Sequence, residues 1–192
     1  KVHVKLVSGS TGHLFAQISH GAPYDIFMSA NDFFPEQLFS KQEKSSFESS
    51  LYAVGRLYFC VREGVPNLHS LSGRIAIAEP RLAPYGRGAE EALRRLNVWS
   101  TVNEEVIYTS NVMMAASHLR QGIVDAAFVS SALIEAQGEG RCELVDGGLY
   151  KPIKHKAFLL TASQNAQTWF SFIRSPEAKV IWKKAGFMVE GS

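Results

Sequence analysis

Hydrophobic and polar positions along the 192-residue chain switch repeatedly between a period of two and a period near 3.6. Alternation in Val2 to Val7 (VHVKLV) predicts a strand. Short apolar runs at Asp25 to Met28, Arg74 to Ala78, Glu104 to Tyr108, Asp125 to Val129, Leu144 to Val145 and Ala157 to Thr161 predict others. Between them, helical spacing covers His13 to Ile18, Ala89 to Leu96, Met113 to Leu119 and Gln164 to Arg174. A last helix, Pro176 to Ala185, has proline near its first position and Gly186 as its stop. Ser29-Ala30-Asn31 suits the cap of another helix, and Pro80 to Pro84 reads as loop. Ser50 to Val61 is one long extended segment broken at Gly55, where a chain can cross between two lobes. Strand alternating with helix in this way predicts an α/β protein with mixed sheets.

One junction recurs three times: an apolar segment runs into small polar residues or glycine and then into a helix. It occurs at Ser8-Gly9-Ser10-Thr11-Gly12, at Pro84-Tyr85-Gly86 and at Ser110-Asn111-Val112. The first turn of a helix leaves backbone N–H groups without partners and carries the positive end of the dipole, so each junction is a potential anion site. Each also has a plainer reading, since Ser, Thr, Asn and Gly are favoured helix caps in any α/β protein.

Composition narrows the classes. A hydrophobic fraction of 46% and a charged fraction of 20% suit a globular protein long enough for two small lobes. A net charge of +2 with scattered basic residues gives no footprint for nucleic acid. No apolar stretch reaches the ~20 residues that span a bilayer, and no export signal is visible at the start. Enzyme motifs such as GxSxG, HExxH and a Walker lysine are missing, and six histidines are dispersed. Cys60 lies in an apolar run and Cys142 in a distant polar stretch. One disulfide is possible, but two separate thiols are the favoured expectation, with Cys60 as a small buried hydrophobe. Neither cysteine has zinc-site spacing, so no cation ligands are expected.

The wording around the junctions resembles the periplasmic molybdate-binding proteins of ABC transporters. The segments that carry the likeness are 8–32 (SGSTGHLFAQISHGAPYDIFMSAND), 52–62 (YAVGRLYFCVR), 75–99 (IAIAEPRLAPYGRGAEEALRRLNVW), the Ser110-Asn111-Val112 turn and 171–187 (SFIRSPEAKVIWKKAGF). GAPYDIFMSA and LAPYGRGAEEAL are the specific signals. The resemblance implies a type II periplasmic-binding-protein-like fold, two α/β lobes with ligand held between them. The lobes expected are a discontinuous outer one, 1–55 with 156–192, and a central one, 56–155. It also implies that the family's first strand and helix are missing here, an N-terminal truncation of about 30 residues by the size of a βα unit.

Carried over position by position, the resemblance assigns oxyanion contacts to Ser10, Thr11, Tyr85, Val112 and Ser130. Ser10 offers hydroxyl and backbone amide, with Thr11 able to share the role; Tyr85 and Val112 offer backbone N–H groups. Ser130 replaces a tyrosine of some members and so has a shorter reach. The implied function is capture of molybdate or tungstate for a membrane permease, by a periplasmic or lipid-anchored monomer without cofactor or catalysis. The alternatives are another oxyanion such as sulfate, or a cytosolic ligand-sensing domain of a transcription regulator.

Overall fold

The chain, described from a computed structural model, is placed over residues 3–31, 33–41, 48–137 and 141–189. Two sheets organise it. The first has the order β1-β8-β2, from β1 (Ile26–Ser29), β2 (Ser49–Gly55) and β8 (Ile153–Leu159), with β8 antiparallel to both neighbours. The second has the order β5-β4-β6-β3-β7, from β3 (Leu57–Val61), β4 (Ile75–Ala78), β5 (Val106–Thr109), β6 (Ala126–Ser130) and β7 (Cys142–Leu144). β4, β5 and β6 run parallel, while β3 is antiparallel to β6 and β7. The extended segment broken at Gly55 is therefore two strands of different sheets, with Arg56 between them.

Helices cover both faces of each sheet, and the period of two decides which residues meet which helix. In β1 and β8, Phe27 and Phe158 turn to α1 (Thr11–Ser19), where Ile18 joins them. Ala157, with Ile26, Met28 and Leu159, turns to Phe170 and Ile173 of α7 (Gln164–Ile173). In the second sheet, Ile75 and Ile77 of β4 meet Tyr85, Ala89, Ala92 and Leu93 of α3 (Pro84–Arg95), a stripe at helical spacing. Ala76 and Ala127 face the other way, against Ala115 and Ala116 of α5 (Val112–Arg120). The remaining helices are α2 (Phe33–Lys41), α4 (Trp99–Val102), α6 (Ser131–Gln137) and α8 (Pro176–Lys184). Gly186 follows α8 with φ 79°, the left-handed stop that the sequence calls for.

Four expectations are corrected. Of the strand at Val2 to Val7, Val2 lies outside the described residues. Residues 3–9 are exposed and belong to no strand: alternation alone makes no strand without a neighbour to take its hydrogen bonds and a core to take its apolar face. α3 starts at Pro84 rather than Ala89, because proline fits the first helical position and Gly86 fits where a Cβ would collide with the Ala78 carbonyl. β8 starts at Ile153, so residues 153–155, allotted by sequence to the central lobe, pair with β2. The cysteines are not separate thiols. Cys60 and Cys142 form a disulfide, because antiparallel pairing of β3 with β7 sets them directly opposite with Cα atoms 4.0 Å apart.

Candidate binding cleft

The carboxyl ends of β4, β5 and β6 lie along one edge of the second sheet. From β4 the chain leaves into α3 on one face, and from its neighbour β5 into α5 on the other. Where adjacent parallel strands send their helices to opposite faces, a crevice opens outside the strand ends. Two helix N-termini flank it. The turn after β4 is drawn tight by Glu79, whose carbonyl accepts from Leu82 and Ala83 at 3.0 and 2.8 Å and whose own N–H donates to the Thr109 carbonyl at 2.8 Å. That last bond ties the two flanking loops together.

At α5 the cap is Asn111, whose side chain accepts from the Met114 N–H at 2.9 Å. The N–H groups of Val112 and Met113 meet no acceptor among the described residues, nor do those of Tyr85 and Gly86 in the first turn of α3. Glu79, in the loop ahead of that turn, is held by Arg81 at 2.8 Å, which keeps its carboxyl below the usual range.

The first sheet sends a third helix terminus to the same place. α1 begins beside the turn after β4: the Gly12 N–H donates to the Leu82 carbonyl at 2.9 Å, across from one lobe to the other. Ser10 and Thr11 precede it, both buried. The Thr11 hydroxyl accepts from the Ala30 N–H at 3.2 Å, which leaves its own proton free to donate. The Ser10 hydroxyl lies 2.9 Å from His13 Nδ1 and caps nothing in its helix. When Nδ1 carries the hydrogen, the Ser10 proton is free as well.

Of the five residues singled out in the sequence, four stand at helix N-termini: Ser10 and Thr11 at α1, Tyr85 at α3 and Val112 at α5. Ser10 and Thr11 approach the Tyr85 end of α3 through the Gly12–Leu82 bond, and Tyr85 and Val112 flank the crevice. Ser130 is the carboxyl end of β6 on the same sheet edge; it is buried, pairs with Leu57 of β3 and directly precedes α6.

Tyr85 turns its ring away from the crevice. Its hydroxyl meets Nε2 of His155 in β8 at 3.0 Å, and Nδ1 of the same imidazole lies 3.4 Å from the Tyr52 hydroxyl of β2. Burial holds the imidazole down to about 4 and pushes both phenols up, so all three groups are neutral near pH 7. Sequence reading passes over His155 because its partners lie 70 and 103 residues away, and no local pattern marks such a pairing.

A family model described as bacterial extracellular solute-binding protein matches residues 1–188. The chain is 29% identical over 191 residues to the molybdate-binding protein ModA of Rhodobacter capsulatus, covering 95% of this chain and 76% of that protein. It is 27% identical to ModA of Azotobacter vinelandii over 93% of this chain and 76% of the relative. The solved Azotobacter vinelandii periplasmic molybdate-binding protein superposes with a TM-score of 0.86 at 31% identity, over 95% of this chain and 86% of that structure. With two lobes, a cleft lined by helix termini and a match along nearly its whole length, this chain belongs to the bacterial extracellular solute-binding proteins.

Proposed function

We infer that the chain captures molybdate, and tungstate by the same chemistry, in the cleft between its lobes as the substrate-binding component of an ABC importer. The observation that carries this reading is the set of helix N-termini of α1, α3 and α5 near one sheet edge, with free N–H groups at Tyr85 and Val112, the hydroxyl proton of Thr11 and, when His13 Nδ1 carries the hydrogen, that of Ser10. A fully ionised tetrahedral dianion accepts at every oxygen, and a shell of donors suits it without any positive side chain. Protonated phosphate brings an O–H that meets another donor and is disfavoured. The names of the ModA relatives point to the same ligand.

Ser130 is the weakest member of the proposed shell, its side chain being shorter than the tyrosine that some members of the family carry there. The Cys60–Cys142 disulfide supports an exported, periplasmic or extracellular protein, because such bonds persist in oxidising compartments. It speaks against the cytosolic regulator domain. A membrane permease is the partner that the importer role entails.

Isothermal titration with sodium molybdate, tungstate, sulfate and phosphate tests the assignment. Tight heats for the first two with little or none for the others are expected. Equal heats for sulfate and molybdate would overturn the selectivity.

A further inference from the structure

The side chain of Tyr85 does something that its backbone role does not require. As the second residue of α3 it contributes an N–H to the crevice, yet its ring runs back to the junction of the two lobes. There the hydroxyl bonds His155, which belongs to the other sheet. His155 pairs with Ala53 of β2, three residues before the Arg56 crossing. Its ring packs edge-on against Phe187 at 4.9 Å and against Tyr52 at 5.9 Å. Space for the pair is provided by Gly55, where a Cβ would collide with the Tyr85 hydroxyl and approach His155 Nε2 to 3.0 Å. Arg56 braces the same place from the far side, donating through Nε and Nη2 to the Gly186 carbonyl at 3.1 and 3.0 Å.

We propose that His155 is a positioning residue for oxyanion capture: by holding the Tyr85 hydroxyl it fixes the first turn of α3, so that the Tyr85 and Gly86 N–H groups stay aimed into the crevice. This rests on the reading of that crevice as the oxyanion site. The physical logic is that of a lever. The first turn of a helix has no hydrogen bonds behind it and frays, and here Pro84 cannot donate at all. A rigid ring anchored at its far end removes that freedom before the anion arrives, which lowers the ordering cost of binding. Because the anchor comes from the other lobe, it also sets the angle at which α3 meets α1.

The test compares full-length wild type with Tyr85→Phe, His155→Phe, His155→Gln and the double variant Tyr85→Phe/His155→Phe, by titration with sodium molybdate. Tyr85→Phe keeps the ring and the backbone N–H and removes only the link. Each single phenylalanine variant is expected to weaken binding about five- to tenfold, the factor one neutral hydrogen bond sets. The double variant should be no weaker than the worse single one, since both remove one interaction. His155→Gln, whose side-chain amide reaches the Nε2 position, should recover most of the affinity. In the free protein, amide hydrogen exchange at Tyr85 and Gly86 should quicken in the phenylalanine variants and return with glutamine. Unchanged affinity and exchange in a folded Tyr85→Phe variant, or losses that simply add in the double variant, would overturn the proposal. A wild type that ignores molybdate while these amides still quicken would instead overturn the ligand assignment and leave the lever standing.

Discussion

Ser10 and Ser130 carry the same hydroxyl in different company. Ser10 stands at the mouth of a helix that docks on the opposite lobe, whereas Ser130 ends β6 with a side chain shorter than the tyrosine expected at that position from the family resemblance. Ser10→Ala should therefore weaken molybdate binding about 10- to 100-fold, the effect of losing one hydrogen bond of about 1.5–3 kcal/mol to a charged group. Ser130→Ala should change it less than about twofold, within the margin of an uninvolved hydroxyl. Dissociation constants for both variants decide the matter, with unfolding midpoints recorded alongside. A larger loss from Ser130→Ala would move the anion to the β6 side of the cleft. His155 makes a second prediction at this scale. Its folded value near 4 lies below the ordinary 6.5, so the unfolded chain binds the proton more readily and stability drains away as pH falls from 6.5 through 4. The titratable side chains against it, Tyr52 and Tyr85, stay neutral throughout that window. His155 as a residue is half-buried, which makes about 3 kcal/mol a ceiling on the loss. Urea unfolding of wild type and His155→Gln at pH 7 and pH 4.5 measures it; equal pH slopes for the two would refute it.

Among the elements, those that stand on local chemistry were legible in the sequence and those that depend on a partner were not. α5 and α8 follow from their spacing, the Asn111 cap, the proline at the start of α8 and the Gly186 stop, all of which act within a few residues. The start of α3 was misplaced because its two early glycines read as loop, while their reason for being there, close approach to Ala78 and the Tyr150 region, is tertiary. The strand at residues 3–7 failed for the opposite cause: its pattern is right and its neighbour is lacking among the described residues. The disulfide joins positions 82 residues apart, and only the register of β3 on β7 reveals it. The candidate site residues came from the family resemblance, and four of them stand at helix N-termini, which local sequence marks; the His155 link, being non-local, is invisible to it. The β3–β7 pairing carries a prediction of its own. Replacing both cysteines with alanine should lower stability by about 2–4 kcal/mol, since the bond closes a long loop in the unfolded chain. Denaturation with and without a reductant would check it, and a wild type indifferent to reductant would count against it.

For the molecule as a whole, two covalent connections join the lobes, one at Arg56 and one just before Ile153, and the Tyr85–His155 pair lies between them. A ligand held by both lobes stabilises the folded chain through mass action, by about 2.7 kcal/mol at a hundredfold excess over the dissociation constant. Sodium molybdate should accordingly raise the melting midpoint by several degrees, and sodium sulfate at the same concentration should leave it nearly unmoved. A shift of equal size with both salts would mean a general salt effect rather than capture. The Gly12–Leu82 bond between the lobes carries a further consequence. It joins backbone to backbone between the lobes, and it depends on glycine: a Cβ at position 12 would meet the Leu82 side chain at 2.9 Å and the Leu82 Cα at 3.1 Å, so a substitution there would force the two apart. The closeness of the two lobes at this point therefore hangs on what residue 12 lacks, and Gly12→Ala should be felt in stability before any contact with an anion is considered.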